Sequence, residues 1–86
     1  MDTKIDSEIK IIIGNVSELA ERENELSQNR DFLAMYSFDW TSTLFRVTNI
    51  WNLIREQEKK KISDAYDNVK PIAQRLKLSW PEELIK

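Results

Sequence analysis

Ile5, Ile9, Ile12, Val16, Leu19 and Leu26 are separated by four, three, four, three and seven residues. That spacing brings an apolar side chain back to one side of an α-helix at every turn, and it fits no strand, whose period is two. The first third of the chain is therefore predicted to be an amphipathic helix. The pattern does not extend into a long coiled coil. Glu23 and Arg30 take the next two places in the series that begins with Ile9 and Val16. Two successive charges at a seam position limit the repeat to about three heptads. The helix is expected to fray near Glu23–Ser27.

The rest of the chain contains few helix breakers, with one glycine and two prolines in 86 residues. Asn29 is placed to cap a short helix through "NRDFLAMY". "SFDWTSTLF", Ser37–Phe45, is dense in cap-forming residues and reads as a loop and a new start, with Ser37 or Asp39 as the cap. From there Trp40, Leu44, Val47, Trp51 and Ile54 make one stripe, while Phe45, Ile50 and Leu53 lie off it. A helix apolar on more than one side is expected at the centre of a bundle. "REQEKKK" reads as a solvated helix end, its lysines balanced by Glu56 and Glu58.

Ile62, Tyr66 and Val69 give further helical turns, and Pro71 either begins a helix or kinks one before Ile72, Ala73 and Leu76. "SWPEEL" carries a capping box, Ser79 with Glu82, and Pro81 in the first turn. Trp40 and Trp51, eleven residues apart, share a core-facing side. Trp80 is expected to be partly exposed, either anchoring a partner or covering the bundle's end. The fold class is all-α, a compact bundle of five or six short helices forming one domain over residues 1–86. Its core is thin, since a chain of this length buries only about 60–65% of its unfolded surface.

Composition narrows the chemistry. Histidine and cysteine are both absent, which removes the commonest general base, the commonest strong nucleophile, disulfides and the usual transition-metal ligands. One glycine cannot build a phosphate-cradling loop. The acidic pairs, such as Glu21 with Glu23 and Glu82 with Glu83, are typical of solvated helices. No catalytic, cofactor or metal site is expected. The longest apolar run, Phe32–Tyr36, is five residues, far short of the roughly 20 needed to span a membrane, and the opening "MDTKIDSEIK" lacks the apolar segment of a secretory signal. A formal net charge of −2 gives no general attraction to nucleic acid. A helix-turn-helix built on "SFDWTSTLF" nonetheless stays open, with Arg46, Asn49, Asn52 and Arg55 as its contacts. A self-associating helical adaptor is a third reading.

The first helix carries a second face. At about 100° per residue, Asp6, Lys10, Gly14, Ser17 and Glu21 run opposite the apolar stripe, flanked by Ile11 and Ile13. A solvent-facing glycine inside a helix costs roughly 1 kcal/mol relative to alanine, and close approach of a partner would account for it. These seven residues are the candidate partner-binding or self-association surface.

Several segments resemble the AsiA anti-sigma factor family of T-even-type bacteriophages. They are "KIDS" at Lys4–Ser7, "II" at Ile11–Ile12, "NR" at Asn29–Arg30, "FLA" at Phe32–Ala34, "FR" at Phe45–Arg46 and "EKKKISDAY" at Glu58–Tyr66. The likeness spans most of the chain through short matches. It implies an all-helical protein that binds region 4 of the host's primary sigma factor within RNA polymerase holoenzyme, chiefly through its first helix. It further implies remodelling of that region, inhibition of −35-dependent host promoters, and redirection of polymerase to phage middle promoters with a phage co-activator. A homodimer of the free protein and a place in the cytoplasm of an infected bacterial host follow from the same resemblance. The chain departs from the family pattern at Lys10, where an acid is expected, and at Gly14, where a β-branched residue is. The segment Phe38–Thr43 is shorter, and Pro71 and the "SWPEELIK" tail have no counterpart.

Overall fold

The computed structural model describes residues 3–81, and every regular element within them is helical. Helix α1 spans Thr3–Gln28, α2 spans Arg30–Ile50 and α3 spans Glu56–Arg75, with a 3-10 turn at Trp51–Leu53 linking the last two. The five or six short helices expected from the sequence are three long ones.

The N-terminal stripe folds as its spacing dictates. Ile9, Ile12, Val16, Leu19 and Leu26 are buried, and Ile5 packs against them. Burying a side chain of this kind contributes about 1.5–3 kcal/mol, so this one helix supplies much of the core. It does not fray at Glu23–Ser27. Glu23 forms an ion pair with Arg75 of α3, so the charge at the seam position has a partner across the helix interface. Leu26 then closes the stripe one turn later.

Only Asn29 separates α1 from α2. Its backbone is extended (φ −134°, ψ 107°) and its side-chain oxygen accepts the Phe32 N–H at 3.1 Å. The predicted cap is therefore present, and it folds α2 back along α1 without a loop.

The loop expected at Ser37–Phe45 is absent, and α2 runs unbroken through it. The Ser and Thr side chains that suggested a break bond back within the helix. Ser37, Thr41, Thr43 and Thr48 each donate to the carbonyl four residues earlier, at 2.9, 2.9, 3.1 and 2.9 Å. A hydroxyl satisfied this way no longer competes with the backbone ladder.

The central helix is α1, not the one that follows Trp40. α1 packs along both α2 and α3, whereas α2 and α3 share little direct contact. Pro71 lies inside α3 and neither starts nor ends it. It removes one backbone donor near the end of the helix, where few intrahelical bonds remain to be lost. The helix closes four residues later. Leu78 N–H bonds to Ala73 O at 2.8 Å and Lys77 N–H to Gln74 O at 3.2 Å, with Lys77 left-handed at φ 60°. This pair of bonds normally has glycine at the left-handed position.

After α3 the chain crosses to α2. Leu78 is buried, and the Trp40 indole N–H donates to the Ser79 carbonyl at 2.6 Å. Trp80 stacks on Tyr66 with ring centroids 4.1 Å apart and planes 5° from parallel, and it lies 6.2 Å from Trp40. Trp80 therefore covers the bundle's end, one of its two expected roles. Ser79 starts no helix within the described residues, and its capping partner Glu82 lies outside them.

Candidate partner-binding surface

The seven residues singled out on α1 do not form one patch. Lys10, Gly14, Ser17 and Glu21 are exposed along its outer side, and Asp6 is half-buried. Ile11 is 41% exposed, while Ile13 packs against the core. Two residues apart on a helix means about 200° of rotation, so these isoleucines sit on opposite flanks. A Cβ placed on Gly14 would meet no atom within 4 Å. No contact within the chain requires the glycine, and the stripe it interrupts is polar.

The larger apolar surface is on α2. Met35, Phe38 and Phe45 are 68%, 77% and 65% exposed, and Leu53 in the 3-10 turn is 67% exposed. Spacings of three and seven put the first three on one side of α2, opposite the buried Tyr36, Trp40, Thr43 and Val47. The residues interspersed among them on that side, Thr41, Ser42, Thr48 and Asn49, are exposed and uncharged. The sequence did signal this, since Phe45 and Leu53 lie off the main stripe. That signal reads equally well as a second buried side, and Phe38 fell inside the expected loop.

Beside this stripe, α1 and α2 enclose a groove of about 420 Å³. Its walls are cross-linked. Asn15 donates to the Thr43 hydroxyl at 3.1 Å, the Tyr36 hydroxyl donates to the Asn15 carbonyl at 3.4 Å, and Arg46 pairs with Glu8 at 2.6 Å. Arg22 pairs with Glu18 at 3.0 Å and Glu25 at 3.4 Å, and its guanidinium sits 5.8 Å from the Phe32 ring centre. The Glu18 pairing, first by hydrogen bond and then by charge, holds the Arg22 pKa above its ordinary value. Burial, reinforced by the nearby carboxylates of Glu18 and Asp39, pushes the Tyr36 phenol up to about 12. Asp39 lines the groove and forms no ion pair among the described residues.

This arrangement offers apolar surface and charge. Among the described residues, no three metal-ligating side chains converge. The helix-turn-helix reading loses its turn, because residues 30–50 are one helix. Of its four contacts, Arg46 is held by Glu8, while Asn49, Asn52 and Arg55 are exposed. No helix among the described residues is long and apolar enough to cross a membrane. No protein-family model, curated protein or solved structure matches the chain.

Proposed function

We propose that this chain is a non-catalytic binding protein of the AsiA anti-sigma type, which docks on region 4 of a host primary sigma factor and changes promoter choice. The observation that carries the binding part is the outward stripe of Met35, Phe38 and Phe45 on α2. A small monomeric domain rarely exposes aromatic residues in a row unless something covers them. The sigma factor itself is named by the resemblance at Lys4–Ser7, Asn29–Arg30, Phe32–Ala34 and Glu58–Tyr66. Action would be stoichiometric. A helical face covers or reshapes a DNA-reading surface, host transcription from −35-dependent promoters falls, and a phage co-activator can redirect the polymerase to middle promoters.

The test is co-purification with isolated sigma region 4, combined with a duplex DNA titration over a range of salt. A region 4 complex without salt-steep DNA binding is expected. DNA affinity that falls steeply with salt and needs no polymerase subunit would replace this reading with a nucleic-acid-binding one. Gly14→Leu tests the α1 face separately, since the open space around Gly14 accepts the larger side chain. It should weaken the sigma complex if α1 contributes, with helicity by circular dichroism unchanged.

A further inference from the structure

The exposed stripe and the α1–α2 groove are continuous, since Met35 and Ser42 belong to both. Their charges are one-sided. Glu18, Asp39, Arg22 and Arg46 line the groove, and Glu25 and Glu8, outside its lining, pair with the two guanidinium groups, so four carboxylates stand against two cations. Both guanidinium groups are already paired, and Asp39 has no counterion among the described residues. On the other side of the Phe38–Phe45 line, Ala34, Thr41 and Thr48 carry no charge, and the exposed Arg30 that begins this row is basic. A ligand lying along α2 would therefore meet apolar surface along its middle and unbalanced negative charge along one edge.

We propose that this combined surface binds an amphipathic helix of another protein, one with an apolar stripe and arginine or lysine along a single edge. The proposal rests on reading the chain as a binding protein, not on the identity of the sigma factor. Helix-in-groove recognition uses apolar anchors at i, i+3, i+4 and i+7, and Met35, Phe38 and Phe45, at i, i+3 and i+10, offer such a ligand apolar contact over three turns of α2.

Charge disfavours a second copy as the occupant, since each copy would bring an acidic edge to the pairing. A basic-edged helix that fills the groove as well adds area and answers Asp39.

The experiment uses the full chain and two designed peptides of about 20 residues, matched in length to α2. Both carry leucines at i, i+3, i+4 and i+7; one has arginine along one edge and the other glutamate. The arginine peptide should bind at least tenfold more tightly, with the gap narrowing as salt rises. Phe38→Gln with Phe45→Gln should weaken it at least tenfold, and Asp39→Lys alone should shrink the gap between the peptides. Both sites are exposed, and circular dichroism confirms that the variants fold.

Equal binding of the two peptides, or a double variant that binds like the parent, overturns the proposal. A parent that sediments as a dimer and a double variant that sediments as a monomer, with neither peptide competing, overturns it in favour of a second copy. Sigma region 4 serves as a third ligand. Failure to bind it alongside Phe-dependent capture of the arginine peptide sinks the anti-sigma reading and supports this surface. Region 4 binding that Gly14→Leu abolishes and the double Phe variant leaves intact does the reverse.

Discussion

Helices α1 and α2 are close in length and antiparallel, yet their outward sides are opposites. α1 has neighbours along two sides, and what it leaves to solvent is mostly polar, Lys10, Ser17 and Glu21 beside Gly14, with Ile11 its one large apolar residue exposed. α2 has one long neighbour, and its free side carries Met35, Phe38 and Phe45. A helix in the middle of a bundle can satisfy its apolar residues internally. A helix at the edge with apolar residues on two sides cannot, and the surplus remains available to a partner. The residues most open to a ligand are therefore on the peripheral helix, and the central one mainly holds the bundle together.

The strongest way to break this contrast is to cut into α1. Leu19 is fully buried, and Leu19→Ala should cost about 2–5 kcal/mol. In a domain this small that is much of the total stability, and chemical denaturation should show a collapse of the midpoint. An unchanged midpoint would mean that α1 is not the central element.

The next effect is on pH. Tyr36 joins the two helices through Asn15, and its folded pKa is raised from the ordinary value near 10 to about 12. Folding favours the protonated phenol, so its contribution is intact below pH 10 and is lost as pH rises from 10 to 12. Urea midpoints measured across that window should fall, and Tyr36→Phe should remove that part of the dependence.

Smaller changes sharpen the comparison on the outward sides. Gly14→Ala meets no atom and should stabilise the chain by roughly 1 kcal/mol through helix propensity alone. A thermal melt that moves down instead would show that the α1 face is crowded. Phe45→Gln, on a side chain 65% exposed, should change stability by less than about 0.5 kcal/mol. A loss several times larger would mean that Phe45 is a core residue.

The sequence carried this contrast only in part. Periodicity says which residues share a side, and it placed Ile9, Ile12, Val16 and Leu19 correctly because one stripe on an otherwise polar helix has one interpretation. It does not say whether a neighbour covers a second stripe, so the pattern alone assigns Phe45 and Leu53 to the inside of a central helix. The Ser and Thr residues of "SFDWTSTLF" misled for a different reason. The hydroxyls that cap a helix start can equally bond to a carbonyl one turn back, and only the fold decides between the two. Glu23 was a similar case, because its partner Arg75 is 52 positions away in the chain. Asn29 was legible because capping is local.

The clasp formed by Ser79 and Trp80 has a consequence for the order of assembly. The α1–α2 hairpin turns on one residue and is complete in the chain by Ile50. The bond from Trp40 to Ser79 spans 39 residues, and it ties α2 to the segment after α3, a helix that α2 itself barely meets. On a ribosome, or in refolding, the hairpin can form early with the Trp40 ring still uncovered. The α2–α3 side closes only when the segment after α3 arrives. Pulse-labelled exchange should then show the amides of α1 and α2 protected before the Trp40 indole N–H, and simultaneous protection would show that the clasp closes with the helices.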